Sequence, residues 1–371
     1  MSTTALQALR NSGIHISSDT AEYHQIPKVK EYLSDATTNP SLVLAAVSKP
    51  EYASIVQEAV QFARQRLPSA AVNDVAALAM DRTLVLVGLE ISKIIPGRVS
   101  FSVDPRIASD TQAMIRKGEA LVALLEELDL PRHRILIKIP ATYEGICAAQ
   151  ALEHPPTGER IHTNMTLVFG RVQALACAQA GLSVISPFIG RVKDWWDAQG
   201  TSVSMGAAQQ PGLFRRMTDW WYARAVPALT DLAQHPGILL VQNIRAMYTA
   251  HAFETQIMAA GFRAVDEIVE LGKYGRAGGP DVVTLPPHLL DGLRTRQNLA
   301  PPLKFEPSEV AVGAASVYFG GSDTAEGAAA YARDIMEEKI AAAKVPEGLA
   351  KFSADAQILE DLIKRAVIDS T

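Results

Sequence analysis

The chain has 371 residues, 48% hydrophobic and 20% charged, with a formal net charge of -5, an ordinary globular composition that suits about two domains or one large α/β barrel. A mildly acidic chain without a basic-aromatic stripe is not expected to bind nucleic acid, and with no apolar run of ~18 residues it is not expected to span a membrane. Residues 1–13 read as a short capping helix. They lack the basic and apolar regions of a secretory signal, so a cytoplasmic location is expected. Gly13–Ser17 reads as a first strand ending at Ser18-Asp19, and residues 23–33 as helix or loop. Ser34–Asn39 reads as a polar second strand, with Pro40 favoured at a first helical position. Helical patterns cover 41–66 and 71–95 and stop at Pro96-Gly97. Val99–Val103 is a third strand, followed by a long amphipathic helix over about 106–128.

Arg134–Thr142 is the most informative stretch. Ile135, Leu136, Ile137 and Ile139 surround Lys138, and the run ends at Pro140 ahead of a helical pattern from Tyr143. A short β-branched run of this kind reads as a buried fourth strand. Leu136, Lys138 and Pro140 then share one face, and Ile135, Ile137 and Ile139 the other. A strand apolar on both faces belongs to a parallel sheet covered by helices. Burial lowers the pKa of an ammonium group, and a neutral lysine is an amine nucleophile suited to Schiff-base chemistry. The other reading is a strand-end lysine whose head escapes to solvent.

A helix follows over 143–153, then a fifth strand at Arg160–Met165, an Ala-rich helix at Leu167–Ala180, and a sixth strand at Leu182–Phe188. The longer connection over 193–253 includes an extra helical segment at 195–235, with a helix at 213–233 that carries Trp220-Trp221. Glu254–Ala260 and Asp281–Leu285 read as strands seven and eight, with helices at 264–272 and 287–297. The tail, 323–371, reads as two helices, 323–343 and 346–368, broken at Val345-Pro346. Cys147 and Cys177 lie in Ala-rich helices and read as small buried residues of a reducing compartment. The eight histidines are scattered without a Cys/His cluster, so no metal site is expected.

Eight strands separated by crossover helices point to an α/β fold, a (β/α)8 TIM barrel with additional N- and C-terminal helices, as one domain over 1–371. A doubly wound sheet fits the alternation but lacks its glycine-rich turn. In a barrel, catalysis collects at the strands' carboxyl ends. Asp19, Thr37, Asn39, Lys138, Asn164, Thr166, Ser186, Arg191 and Arg263 fall there, which favours the reactive reading of Lys138.

Several ordered motifs resemble the transaldolase family: Asp35–Leu42, Ile135–Gly145, Asn164–Phe169, Ile185–Arg191, and the tail Gly348–Phe352. The resemblance covers nearly the whole chain, least well over 195–235. It implies cofactor-independent, ping-pong transfer of a dihydroxyacetone unit between sugar phosphates, and a possible homodimer. It implies that Lys138 forms the Schiff base and Asp19 is the general base for the substrate's C4 hydroxyl. Asn39 and Asn164 would bond the three-carbon unit, with Thr37 among the substrate-binding residues. Thr166 would hold a catalytic water, Ser186 would meet the first hydroxyl, Phe188 would close the site, and Arg191 and Arg263 would bind phosphate.

The chain departs from the pattern twice. Ser102 stands where the family has a proton-shuttling glutamate, and Gly261 where it has a serine near the phosphate. These departures keep two other functions open: a Schiff-base aldolase for another carbonyl compound, and a catalytically weak sugar-phosphate-binding barrel.

Overall fold

Eight parallel strands close on themselves in sequence order. This is a computed structural model, which describes residues 3–200, 232–297, 303–305, 316–320 and 324–370. The strands are β1 (His15–Asp19), β2 (Asp35–Thr37), β3 (Val99–Ser102), β4 (Ile135–Pro140), β5 (Thr163–Val168), β6 (Val184–Pro187), β7 (Gln256–Ala259) and β8 (Val282–Leu285). Together with the helices between them they make a (β/α)8 barrel.

The register decides which side chains point inward. Lys138 pairs with Ser102 on one side and Asn164 on the other. Asp19 pairs with Thr37, and Ser17 with Thr284. Paired residues of a parallel ladder share a face, and faces alternate along a strand. Leu136, Val184, Met258 and Val282 form an apolar cluster of their own, the inner floor of the barrel. Lys138 lies two residues beyond Leu136, on the same inner face. Ile135, Ile137 and Ile139 point outward into the main core, so β4 is buried on both sides.

Several helix starts are set by side-chain caps. In α1 (Ala5–Asn11) the cap is Thr4. For α2 (Pro40–Val47) it is Asn39, which accepts from Leu42 N at 2.9 Å ahead of Pro40. The helices α3 (Ala53–Arg66) and α4 (Val72–Ser92) follow before β3. Asp110 caps α5 (Thr111–Glu126) and Thr142 caps α6 (Tyr143–Glu153), each through a side-chain oxygen. At the other end of the barrel, buried carboxylates tie strand starts together. Glu153 accepts from Thr163 N and Ser183 N, Asp281 from Ile257 N, and Asp35 from Arg98 N. That rim is committed to structure, which leaves the polar groups of the opposite rim free for other work.

Element boundaries differ from the sequence reading in several places; the helical pattern over 41–66, for one, is split into α2 and α3 by a tight turn at Pro50–Tyr52. Strand β5 starts and ends three residues later than expected, and α7 begins only at Arg171 (Arg171–Gln179). A register shift between Met165 and Val168 carries Leu167 at φ 60°, so the apolar run continues as bulged strand rather than opening the helix. Asn39 is the cap of α2 rather than a strand residue. The tail does not break at Pro346. After α8 (Ile189–Gly200), α9 (Pro236–Ala250), α10 (Val265–Gly272), α11 (Gly275–Gly278), α12 (Pro287–Thr295) and α13 (Thr324–Glu337), the last helix α14 runs from Lys339 to Asp369 with Pro346 inside it. Glu338 is the junction instead. Proline removes one backbone hydrogen bond, and burial of Ile340, Ala341, Gly348, Ala356, Leu359, Ile363 and Val367 holds the helix through it. The expected helix at 213–233 lies outside the described residues.

Candidate active site

Helix α14 lies across the carboxyl end of the barrel. Phe352 on α14 lines a cavity of about 20 Å³ with Asn39, Ser102, Lys138, Pro140 and Thr166. Gly348, one turn earlier, allows that approach, since a Cβ there would stand 2.6 Å from Leu167 Cδ2 and 3.2 Å from Arg191 Nη1. Ser41 and Asp355 bond across the same contact.

Lys138 is 6% exposed. Burial lowers its pKa from the ordinary lysine value, and the Asp19 carboxylate offsets only part of this. The escape of Lys138 to solvent is therefore not seen. Asp19 accepts a 2.7 Å hydrogen bond from Thr37 Oγ1, which lies 2.7 Å from Thr284 Oγ1. Asn164 and Ser186 are fully buried and joined, Ser186 Oγ donating to Asn164 Oδ1 at 2.7 Å. Asn164 Nδ2 donates to Ser100 Oγ at 3.1 Å. Asn39 uses its carbonyl oxygen as the helix cap and still lines the cavity. Thr166 Oγ1 is buried without a hydrogen-bond partner among the described residues. Among the described residues Ser102 Oγ has only a long 3.5 Å contact to Thr38 O. Both hydroxyls border the cavity that holds the amine.

Arg191 sits in the first turn of α8, between the rings of Phe188 at 5.7 Å and Phe352 at 5.8 Å. Burial lowers its pKa, Glu347 and Asp194 oppose that, and Arg263 adds to it. Its Nη1 is buried with no partner among the described residues. A desolvated guanidinium beside a second cation is a place suited to an anion. Arg263 is less enclosed: its side chain is 49% exposed and pairs with Asp194 at 2.7 Å. Its backbone is anchored, with Arg263 N donating to Glu267 Oε2 at 2.7 Å and Glu267 facing the buried His235. Gly261 takes φ +72°, and a Cβ would come 3.3 Å from Phe188 Cδ1. The second departure from the resemblance is thus a left-handed backbone position that suits glycine.

The structure therefore brings Lys138, Ser102, Asn39 and Thr166 into one cavity. It sets Asp19 and Thr37 beside them, with Asn164 and Ser186 on the inner wall. Phe188 and Arg191 form the rim, with Arg263 on its outer side. Phe352 and Thr284 were not singled out by the sequence reading. The Gly348-x3-Phe352 spacing, one helical turn, is the signal that puts Phe352 on the face of Gly348.

A closed parallel barrel with a desolvated amine at its carboxyl end is the architecture of a (β/α)8 barrel enzyme. The chain belongs to the transaldolase/fructose-6-phosphate aldolase family, whose model matches residues 16–363. It is 36% identical to a transaldolase of Schizosaccharomyces pombe over 97% of this chain and 98% of that protein. A transaldolase B of Pasteurella multocida is 35% identical over 97% of this chain and 98% of its own length. A transaldolase of Gloeobacter violaceus is 38% identical over 89% of this chain and 74% of its own length.

Among the described residues no group of three or more His, Cys, Asp or Glu is arranged to hold a metal ion, and no helix is long and apolar enough to cross a membrane.

Proposed function

We propose that this chain is a transaldolase, moving a dihydroxyacetone unit from a ketose phosphate to an aldose acceptor through a Schiff base on Lys138. The observation that carries this reading is the buried amine of Lys138 beside the Asp19 carboxylate. A desolvated amine is neutral more often at working pH, and only the neutral form attacks a carbonyl. The protonated iminium that follows draws electrons from the adjacent carbon–carbon bond. Asp19, oriented by Thr37, takes the proton of the C4 hydroxyl as that bond breaks and returns it during addition.

Asn39, Asn164 and Ser186 hold the hydroxyls of the three-carbon unit, and Thr166 holds the water released and consumed at the imine carbon. The rim guanidinium of Arg191 takes the phosphate, with Arg263 leaving Asp194 to join it. The cavity under Phe352 has room for about one water, so a sugar phosphate enters only if α14 or the Phe352 ring shifts. A homodimer and a cytoplasmic location go with this reading through family likeness alone.

Borohydride trapping tests the proposal. Wild type incubated with fructose 6-phosphate and reduced gains the mass of a three- or six-carbon adduct; Lys138→Ala gains none. Transfer to erythrose 4-phosphate distinguishes the transferase from a second reading, an aldolase that releases the three-carbon unit. Ser102, standing where the family has a proton-shuttling glutamate, is the departure that keeps the second reading open. An adduct without transfer would replace the first reading with the second. No adduct at all would remove both.

A further inference from the structure

A second cavity lies directly behind the first. It measures about 40 Å³ and is lined by Pro40, Asp81, Ser102, Asp104, Lys117 and Glu360, among others. Pro40, Ser102 and Val103 line both cavities. They are the wall between Lys138 and Asp81, and Ser102 carries the only side-chain hydroxyl in that wall. At ~15 Å³ per water, the second cavity has room for about three waters.

Asp81 projects into it from α4, and its side chain is 15% exposed. Four charged groups face it. Lys117 from α5 donates a 2.6 Å hydrogen bond to Asp81 Oδ2. Asp104 and Arg106 follow β3, and Arg106 binds Asp104 at 2.6 Å while also reaching Glu360 of α14. That bridge closes the outer side. Burial pushes the Asp81 carboxyl up from its ordinary value, Lys117 pulls it back in part, and Asp104 adds to the rise.

The chemistry at Lys138 needs a proton source on this side. When the amine adds to a ketone carbon, the N–C bond forms and the carbonyl oxygen takes up a proton while nitrogen loses one. The resulting hydroxyl then leaves as water only if it receives another proton, as the nitrogen lone pair closes the C=N bond. Lys138 is the only titratable residue among the described residues that line its own cavity. Asp19 is engaged with Thr37.

We propose that Asp81 is the proton reservoir for making and releasing the Schiff base, acting across the wall through Ser102 and water. The Asp81 carboxyl gives its proton to a water at Ser102, and the Ser102 hydroxyl passes one on to the departing hydroxyl. In release, the water attacking the imine carbon returns a proton by the same route to the Asp81 carboxylate. Among the described residues Ser102 Oγ is held only by its 3.5 Å contact to Thr38 O, which leaves it able to turn between the cavities. Asp81 acts through another residue and is a relay rather than a group that touches substrate. The proposal rests on the Schiff-base reading of Lys138.

The experiment is single-turnover borohydride trapping with fructose 6-phosphate over the whole pH range in which the protein stays folded. The variants are Asp81→Asn, Lys117→Met and the double variant Asp81→Asn/Ser102→Glu. Asp81→Asn is expected to slow adduct formation about 10²-fold, the lower range for loss of a general acid–base group. It should also erase the limb on which the rate falls as Asp81 deprotonates with rising pH. Ser102→Glu puts a carboxylate into the lysine's own cavity and should bring the double variant back to within about tenfold of wild type. Lys117→Met removes the cation that favours the carboxylate and should move the limb to higher pH.

An Asp81→Asn protein that traps at the wild-type rate with an unchanged pH profile overturns the relay. So does a slow variant with an unchanged profile that Ser102→Glu fails to rescue, because a merely structural Asp81 behaves that way. A limb that stays put in Lys117→Met overturns it independently. If wild type gives no adduct, the Lys138 reading falls first and the relay with it.

Discussion

Thr37 Oγ1 donates to Asp19 Oδ1 at 2.7 Å and stands equally close to Thr284 Oγ1. A hydroxyl has one proton, so Thr37 accepts from Thr284 while it donates to Asp19. Three strands, β8, β2 and β1, thereby point one carboxylate oxygen in a fixed direction. Thr37→Val keeps the shape and removes the last donor. It should lower kcat about tenfold, the equivalent of one net hydrogen bond of about 1.4 kcal/mol, with little change in KM. A KM that rises instead would mean Thr37 binds substrate rather than orienting Asp19.

Lys138 also leaves a mark on stability. Its folded-state pKa lies below the value of 10.5 that it has when exposed, so between those two values the unfolded chain binds the extra proton. Stability from this group therefore rises as pH rises through that window, and at neutral pH the buried amine is a cost. Lys138→Met should be more stable than wild type at pH 7 by about 1 kcal/mol or more, and the difference should shrink toward pH 10. Urea denaturation at both pH values measures it. A Met variant that is less stable at neutral pH would contradict a costly buried amine.

The barrel and the lysine were legible because they rest on local pattern. The lone charge in Ile135–Ile139 marks a residue out of place in a two-sided apolar strand, and the closed sheet gives that face no water. The bulge at Leu167 was not legible. A non-glycine residue at φ 60° follows no local preference and persists only through tertiary packing, here against α14 beside Gly348. Pro346 misled for a related reason, since local propensity predicts a break and the buried face of α14 overrides it. Asn39 and Arg263 show the limit for site residues. Sequence put both at the mouth, but the helix-capping bond of one and the Asp194 pair of the other depend on neighbours far away or on exact backbone direction.

The rim arginines differ in burial, and their variants should differ in effect. Arg191 is desolvated between two aromatic rings with Nη1 unpartnered among the described residues. Arg191→Ala should raise KM for a phosphorylated ketose about 10–100-fold, the range for a hydrogen bond to a charged group of about 1.5–3 kcal/mol. Its kcat should be less affected, and unphosphorylated fructose should show little further loss. Arg263→Ala should cost less, because that guanidinium already has Asp194 and solvent. An unphosphorylated substrate that suffers equally would place Arg191 elsewhere than at the phosphate.

Gly261→Ser tests whether the departure at this position is a matter of backbone. At φ +72° a side chain costs about 1–2 kcal/mol, and the new Cβ also meets the Phe188 ring. A serine that adds a phosphate donor without that cost would lower KM at unchanged stability. The expected result is a loss of stability of about 1 kcal/mol, read in urea, with KM no better than wild type.

Glu338 gives the fold a pH dependence close to neutrality. It joins α13 to α14, and its carboxylate accepts from Arg171 N at 2.6 Å and Val172 N at 3.2 Å, at the start of α7. A Cβ on Gly170 would overlap its Oε2, which shows how closely it lies against that backbone. Burial raises its pKa from 4.5 to about 7, although both amides favour the carboxylate. A raised acid binds its proton more tightly when folded, so stability falls as pH rises from the unfolded value through about 7. At 1.36 kcal/mol per unit the loss is about 3 kcal/mol, complete above the folded value. Urea midpoints from pH 5 to pH 8 should fall for wild type and stay nearly level for Glu338→Gln, which has no proton to lose. Because α14 carries Phe352 over Lys138, the same pH interval should also increase limited proteolysis of α14 in wild type alone. A flat wild-type profile would mean the two amides outweigh burial at this carboxylate.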